Sequence, residues 1–360
     1  MNLFKQLKTL TETPAPSGFE FKIAPVIEAL WDPYVDEISV DRVGSLIAIK
    51  HGSGAEPRPK ILLAAHMDEI GLMVADVIER DGQGFVRVTN LGGVDIRQLY
   101  AQLVVVHGKR DLSGVMGCLP PNMLPPERKE KPYGYEDLVV DVGLPFDEVK
   151  ELVDIGNAVS FRQPLRKLHG KRIAGKSLDN RASIAAVTVC LAYLNGRSHE
   201  WDVVAVATAQ EETRLLGAFT GTFSQHPDAA VAIDVTFGKG PGAADERAHE
   251  LGSGPVIEIG PNIHPGMTEA LKKAADKLEM KHSMGTHSRY SGTDAFGLQV
   301  AREGIPTGLI SIPLRYMHTM VESIDMKDVE RSGRLLGEFI ARLDSEFILK
   351  LSEKMMEAPE

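Results

Sequence analysis

Apolar residues recur at helical spacing twice near the start of the chain, at Leu3, Phe4, Leu7 and Leu10 and, past a turn over 14–18, at Ile23, Val26, Ile27 and Leu30. Each set predicts a helix with one face laid on a sheet. The runs 38–40 and 46–49 flank a turn near 41–44 and predict a hairpin, and the unbroken apolar run 61–65 suits a central strand. From 71 to about 166 the texture changes to short strand-like runs, clearest at 85–88, 103–106 and 138–142, punctuated by Gly, Pro and Asp. One amphipathic helix, 146–153, interrupts this small β-rich module. Beyond 168, helices over 182–194, 266–278 and 293–302 alternate with strands over 203–209, 229–233 and 307–312. Residues 326–349 predict one long terminal helix with Val329, Leu335, Leu336, Ile340 and Leu343 on its inner face.

Strands alternating with helices predict a mixed α/β sheet covered on both faces. Residues 1–70 and 166–360 then form one domain, and 71–165 is an insertion within it. Of the 360 residues 43% are hydrophobic and 25% charged, an ordinary globular composition. The net charge of -10 gives no general attraction to nucleic acid or an anionic membrane. The basic stretch from Arg162 through Arg166, Lys167, Lys171, Arg172 and Lys176 is interleaved with Leu165, Leu168 and Ile173 and reads as strand and loop surface. The first 18 residues lack a basic segment followed by an apolar core, and no stretch reaches membrane-spanning length, which predicts a soluble cytoplasmic protein. Proline-rich, charged 120–131 is a candidate mobile loop or an ordinary exposed turn.

Chemistry enters where apolar strands end. With only Cys118 and Cys190, a disulfide framework or a cysteine zinc site is excluded, so any metal must use His, Asp and Glu. The run 203–209 ends in Gln210-Glu211-Glu212. That pair is either a strand running into a solvated helix start, favoured by the macrodipole, or a metal ligand, Glu212, beside a proton-moving carboxylate, Glu211. The run 61–65 ends in His66-Met67-Asp68, where Asp68, two residues on, can reach His66 and fix its tautomer. The run 229–233 ends in Asp234, 307–312 leads through Pro313 and Arg315 to His318, and a loop after Gly175 presents Asp179. Alone, Asp179 reads as a helix cap, His66 as a core histidine and Asp234 as a turn residue. Together they place acidic or imidazole groups at four strand ends of one sheet, where open α/β sheets bind ligands. Two His and three carboxylates exceed one catalytic zinc. Shared through a bridging carboxylate, for which Asp179 is the candidate, they fit two metals roughly 3.5–4 Å apart and leave Glu211 as general base.

The segments Ala65-His66-Met67-Asp68-Glu69-Ile70-Gly71, Ser177-Leu178-Asp179-Asn180-Arg181, Gln210-Glu211-Glu212, Ile233-Asp234-Val235-Thr236, Ser291-Gly292-Thr293-Asp294-Ala295 and Arg315-Tyr316-Met317-His318-Thr319 resemble, in order and over nearly the whole chain, the M42 metallo-aminopeptidases, which include the TET and glutamyl aminopeptidases. The resemblance implies a three-layer, mixed-sheet, zinc-peptidase-like catalytic domain with an inserted small β-barrel-like domain that contributes to dimers. It implies cleavage of the N-terminal residue of short peptides and homo-oligomers, with dimers building a tetrahedral dodecamer. It implies two divalent ions, zinc or cobalt, one held by His66, Asp179 and Asp234, the other by Asp179, Glu212 and His318, with Glu211 as base and Asp68 orienting His66. The chain departs from the family at Thr213-Arg214 after the Glu pair, at Pro120-Pro121-Asn122 and at Gly44-Ser45, none of them a ligand. Arg214 either pairs with Glu211 or points outward. Residues 240–250 either shape the substrate pocket or form a surface loop. The rival readings are a related two-metal deacylase or carboxypeptidase and a non-catalytic relative; the histidines argue against a glycosidase.

Overall fold

Strands that are apolar on both faces belong in the middle of a layered sheet, and the longest apolar runs of this chain go there. The structure, a computed structural model, describes residues 2–128, 131 and 134–356. Strands β1 (Glu37–Val40), β2 (Leu46–Lys50) and β3 (Lys60–His66) lead into β4 (Gly71–Arg80), β5 (Gln83–Leu91), β6 (Leu103–His107), β7 (Asp111–Cys118), β8 (Leu138–Pro145) and β9 (Ala158–Phe161). There follow β10 (Arg166–Lys167), β11 (Arg172–Gly175), β12 (Asp202–Thr208), β13 (Ala229–Phe237), β14 (Val256–Ile259), β15 (Ser283–Thr286), β16 (Thr307–Leu314) and β17 (Glu322–Asp325). The helices are α1 (Leu3–Glu12), α2 (Ala24–Trp31), α3 (Phe146–Leu152), α4 (Leu178–Leu194), α5 (Glu211–Arg214), α6 (Leu216–Gln225), α7 (Pro265–Lys277), α8 (Asp294–Gln299), α9 (Met326–Ile340) and α10 (Phe347–Met356).

Eight strands form one mixed sheet in the order β1-β2-β12-β3-β13-β16-β14-β15. Its centre is parallel, β12 with β3, β3 with β13 and β13 with β16, whereas β1–β2, β2–β12 and β14–β16 are antiparallel. Side chains alternate between faces with period two. Ile61, Leu63 and Ala65 of β3 pack into a core with residues of α1, α2, α4 and α9; Leu62 and Ala64 face the other way, toward Ala218 of α6 and Ala295 and Leu298 of α8. The sheet is therefore covered on both sides, a three-layer α/β arrangement. No helix among the described residues is long and apolar enough to cross a membrane.

Strands β4 to β9 close into a barrel, β4-β5-β8-β7-β6-β9, sealed by antiparallel pairing of Leu72 with Val159. Its interior is filled by alternate residues, Leu72 and Val74, Val86 and Val88, Val104 and Val106, and Met320 reaches into this core from the loop before β17. Of the 120–131 stretch, Lys129 and Glu130 lie outside the described residues.

Three elements differ from expectation. The strand over 229–233 runs on to Phe237 because β16 continues to pair with it, so Asp234 stands inside the strand. Residues 326–349 form two helices, because the carbonyl of Asp344 accepts from Trp201 Nε1 at 3.0 Å and Asp344 Oδ1 accepts from Glu346 N at 3.0 Å. The break lets Phe347 turn back edge-on to Trp201 and Phe339, with ring centroids 5.8 and 6.0 Å apart. The helix expected over 293–302 ends at Gln299.

Helices α4 and α9 pack closely at Gly333, where an added Cβ would stand 2.4 Å from the Ala186 carbonyl oxygen and 2.5 Å from Val189 Cβ. Gly333→Ala is expected to force the helices apart and lower stability by about 1–3 kcal/mol, read as a shift in the denaturant midpoint; an unchanged midpoint would mean that the helices are not in this contact.

Candidate metal-binding active site

The sheet opens where the acidic and imidazole residues stand. Strand β13 pairs with β3 only from Ala229 to Ala232, yet stays with β16 to its end. In the resulting gap the Ile233 carbonyl accepts from Asn180 Nδ2 at 2.9 Å, and the side chains of His66 and Asp234 face each other, His66 Nε2 lying 3.9 Å from Asp234 Oδ1.

Local backbone geometry delivers the other groups. After β12, Gln210 takes a left-handed conformation (φ 57) and starts the single turn α5, whose first residues are Glu211 and Glu212. Their amides donate to Asp68 Oδ1 and Oδ2, both at 3.1 Å. Strand β11 pairs with β17 so that Gly175 lies opposite Glu322, and four residues beyond Gly175 comes Asp179. Asp179 has non-helical dihedrals (φ -79, ψ 101) at the start of α4 and is joined to Asn180 by a cis peptide. His318 sits between β16 and β17, also left-handed (φ 59). Ser177, Gln210, Leu215, Tyr316 and His318 are five of the ten non-glycine residues with positive φ among the described residues. Such conformations cost about 1–3 kcal/mol each and persist where surrounding contacts impose them.

The two imidazoles share one arrangement. His66 Nδ1 donates to the Asp68 carbonyl at 3.2 Å and His318 Nδ1 donates to the Gly93 carbonyl at 3.1 Å. Each Nε2 therefore points a lone pair inward at carboxylates. His66 Nε2 lies 3.1 Å from Asp179 Oδ1 and 3.8 Å from Glu211 Oε2; His318 Nε2 lies 3.4 Å from Asp179 Oδ2 and 3.6 Å from Glu212 Oε2. Asp179 thus turns one oxygen to each ring. Lone pair against carboxylate is repulsive unless a proton or a metal ion lies between, and an outer N–H on a carbonyl is how metal-ligating histidines are oriented.

Electrostatics agree. Burial, then the neighbouring Asp179, push Glu212 up to about 8 and Asp234 also to about 8. Burial pushes Glu211 well above the usual carboxylate range, and Asp234 and Asp294 add to it. The hydrogen bond to Asp179 leads the causes that raise His318 to about 9. Burial disfavours a charged His66, but Glu211 and Asp179 outweigh it and its pKa rises well above normal. Burial opposes ionisation of Asp179, yet its bonds to His318 and His66 hold it low. Protons are retained where positive charge is needed, and nitrogen and oxygen donors of this kind suit a divalent transition metal.

All seven sequence-derived residues, His66, Asp68, Asp179, Glu211, Glu212, Asp234 and His318, come together. Among the described residues two trios have ligand atoms within 4.8 Å of one another, His66 with Glu211 and Asp234, and His66 with Asp179 and Glu212. Those trios share His66 rather than Asp179, so distance alone does not separate ligand from base. The Asp68 carboxylate lies 3.4 Å from His66 Nδ1, whose charge it helps to stabilise, and accepts the Glu211 and Glu212 amides. Arg214 is exposed on the cleft wall, and no ion pair joins it to Glu211. The cleft has a volume of about 710 Å3, and Phe219, Tyr290 and Phe296 line it.

Sequence reasoning missed the supports. Glu322, 2% exposed, accepts from the amides of both Asp179 and His318. Glu69 is buried against Lys176 and Ser177, and Asp294 accepts from Thr208. Glu69 and Asp294 lie within motifs that carry the family resemblance, whereas for Glu322 the signal is an acid next to apolar residues, in Val321-Glu322-Ser323-Ile324.

Gly93 belongs to the barrel side of the cleft, and an added Cβ there would stand 2.6 Å from His318 Nδ1. Gly93→Ala is expected to displace the ring and weaken divalent-cation binding by about 10–100-fold with far-UV circular dichroism unchanged. Titration calorimetry with zinc measures this, and wild-type affinity would remove His318 from the site.

The pattern of the M42 glutamyl aminopeptidase family matches residues 44–335. A lysyl aminopeptidase of Pyrococcus furiosus is 35% identical over 345 residues, 94% of this chain and 96% of that one. The solved TET aminopeptidase of a marine-sediment Thaumarchaeota archaeon superposes with a TM-score of 0.89 at 30% identity, covering 97% of this chain and 98% of that one. The Pyrococcus horikoshii TET1 peptidase, described as able to assemble into a tetrahedron or a large octahedral shell, gives 0.81 at 30% identity, covering 95% and 100%. With this match across most of its length, joined to a site of paired histidines and shared carboxylates, the chain belongs to the M42 glutamyl aminopeptidase family.

Proposed function

We propose that the protein is a two-metal aminopeptidase that removes the N-terminal residue of short peptides, with Glu211 as general base. The observation that carries this reading is the placement of Asp179 between two inward-facing imidazole nitrogens, with Glu211 alongside. His66, Asp179 and Asp234 would hold one divalent ion, and Asp179, Glu212 and His318 the other, zinc or cobalt. Such a pair of ions, when bound, supplies Lewis acidity at the scissile carbonyl and lowers the pKa of water toward about 7.

The chain's own residues do the rest. Glu211 takes the proton of the attacking water and returns it to the leaving amine, a role worth roughly 10²–10⁴-fold in rate. Its burial favours holding that proton between the two steps. Asp68 fixes the backbone of Glu211 and Glu212 through their amides, and the Asp68 carbonyl sets the His66 tautomer. The crowd of carboxylates holds the substrate α-ammonium, which restricts cleavage to the first residue.

Glu211→Gln keeps the size and removes the base. The variant is expected to bind the same number of metal ions as wild type while kcat on aminoacyl-p-nitroanilides falls by about 10²–10⁴-fold; retained turnover would take the role from Glu211. In the wild type, chelator is expected to abolish cleavage and zinc or cobalt to restore it, with N-acetylated substrates resistant. Preferential cleavage of acylated amino acids would instead support a deacylase.

We take the protein to be a homo-oligomer built from dimers through residues 71–165, up to a tetrahedral dodecamer. The TET1 relative's assembly and the exposed apolar Leu103, Val115 and Ile155 on the inserted region support this. Sedimentation is expected to show a species far heavier than one 39.2 kDa chain, and a monomer in dilute buffer would reject it.

A further inference from the structure

Glu322 is a buried carboxylate with no part in the proton transfer just described, and its two oxygens are fully engaged. Glu322 Oε2 accepts from the Asp179 amide at 3.0 Å and Glu322 Oε1 accepts from the His318 amide at 3.0 Å. The residue is held by the first pair of β17, where it lies opposite Gly175 of β11. One side chain therefore spans the two segments that bring in Asp179 and His318, which come from distant parts of the sequence.

Neither segment is fixed by regular secondary structure at that point. Asp179 departs from helical dihedrals and His318 is left-handed at φ 59. His66, by contrast, ends strand β3, and Asp234 stands within β13, so both are held by the sheet ladder. The loop that carries His318 is closed at its base by one antiparallel bridge, Arg315 N to the Ser323 carbonyl at 2.9 Å and Ser323 N to the Arg315 carbonyl at 3.0 Å, and His318 itself stands outside that pairing. Within that loop the backbone bond to Glu322 and the ring bond to Gly93 act on His318 directly.

We propose that Glu322 is a positioning residue that sets the Asp179–His318 geometry and so governs the cation between Asp179, Glu212 and His318, two of whose ligands it clamps, more strongly than the cation at His66, Asp179 and Asp234, which shares with the clamp Asp179 alone. This rests on the two-metal reading given above. Glutamine at 322 keeps one acceptor oxygen but turns an NH2 group toward the second amide, so one clamp is lost and one donor is left facing a donor. Buried carboxylates that orient ligands in this way typically contribute 10–100-fold in metal affinity.

The test is cobalt titration of the full-length, chelator-stripped protein, followed by the visible absorption of bound Co2+ and by calorimetry. The wild type is expected to take up two ions. Glu322→Gln is expected to bind the second ion at least about 10-fold more weakly and the first, which shares with the clamp Asp179 alone, with a clearly smaller loss, with peptidase activity recovered at high cobalt and KM unchanged. Glu322→Asp, too short to reach both amides, serves as the second variant and is expected to show the same split. Equal weakening of both ions, or loss of circular dichroism in both variants, would reduce Glu322 to a structural residue and overturn the inference. So would an unaltered second ion. If the wild type itself binds fewer than two ions, the two-metal reading fails first, and this inference with it.

Discussion

Glu211, Glu212, Asp179 and Asp234 crowd around two imidazoles, His66 buried and His318 about a third exposed at the cleft. Carboxylates so placed cannot all ionise without positive charge among them, and the structure is organised around that requirement. Both rings give their outer N–H to a backbone carbonyl and keep Nε2 for the interior. The two carboxylates that do not face inward, Asp68 and Glu322, each accept two backbone amides, and each pair of amides belongs to residues of the cluster. Leaving such an amide buried without an acceptor costs about 1–3 kcal/mol. The cluster's repulsion is thus opposed by bonds made just outside it, which hold the acidic side chains in position before any cation arrives.

The sheet provides the place. Parallel strands end together and leave their carboxyl ends open to ligands, but an unbroken sheet has no room between adjacent strands for side chains as large as these. Departure of β13 from β3 after Ala232 makes the room, and Asn180 accounts for the Ile233 carbonyl exposed by it. Asn180 follows Asp179 directly, so the residue that fills the gap and the residue that bridges the two rings are placed by one turn of chain. The long pairing of β13 with β16 is what makes the parting tolerable, because β13 keeps a full partner on its other side.

The site was legible in the sequence wherever a ligand ends an apolar run. His66 and the Glu211-Glu212 pair follow strands whose both faces are buried, and such runs announce themselves without reference to anything distant. Asp234 is legible as an acid after an apolar run, but the strand continues past it for three more residues because β16 supports it. Tertiary partners also decided what was missed. The break between α9 and α10 depends on Trp201, and Glu322 matters only because β17 lies beside β11. Asp68 stands beside His66, as its place two residues on implies, and its carboxylate also takes the amides of Glu211 and Glu212, 143 and 144 residues away, which no local pattern announces. In the barrel, β7 reads Asp111-Leu112-Ser113-Gly114-Val115-Met116-Gly117-Cys118, an alternation too weak to declare a strand until its neighbours close around it.

The barrel is part of the site and not an appendage to it. His318 gives its ring N–H to Gly93, and two residues later Met320 is buried in the barrel core; two residues after that, Glu322 takes the amides of His318 and Asp179. The loop between β16 and β17 is therefore held at one point by the barrel and at the next by the sheet side, with the ligand between. Whatever fixes the barrel against the sheet also fixes His318, and a cation held by His318 must in turn favour the docked barrel by the same free energy.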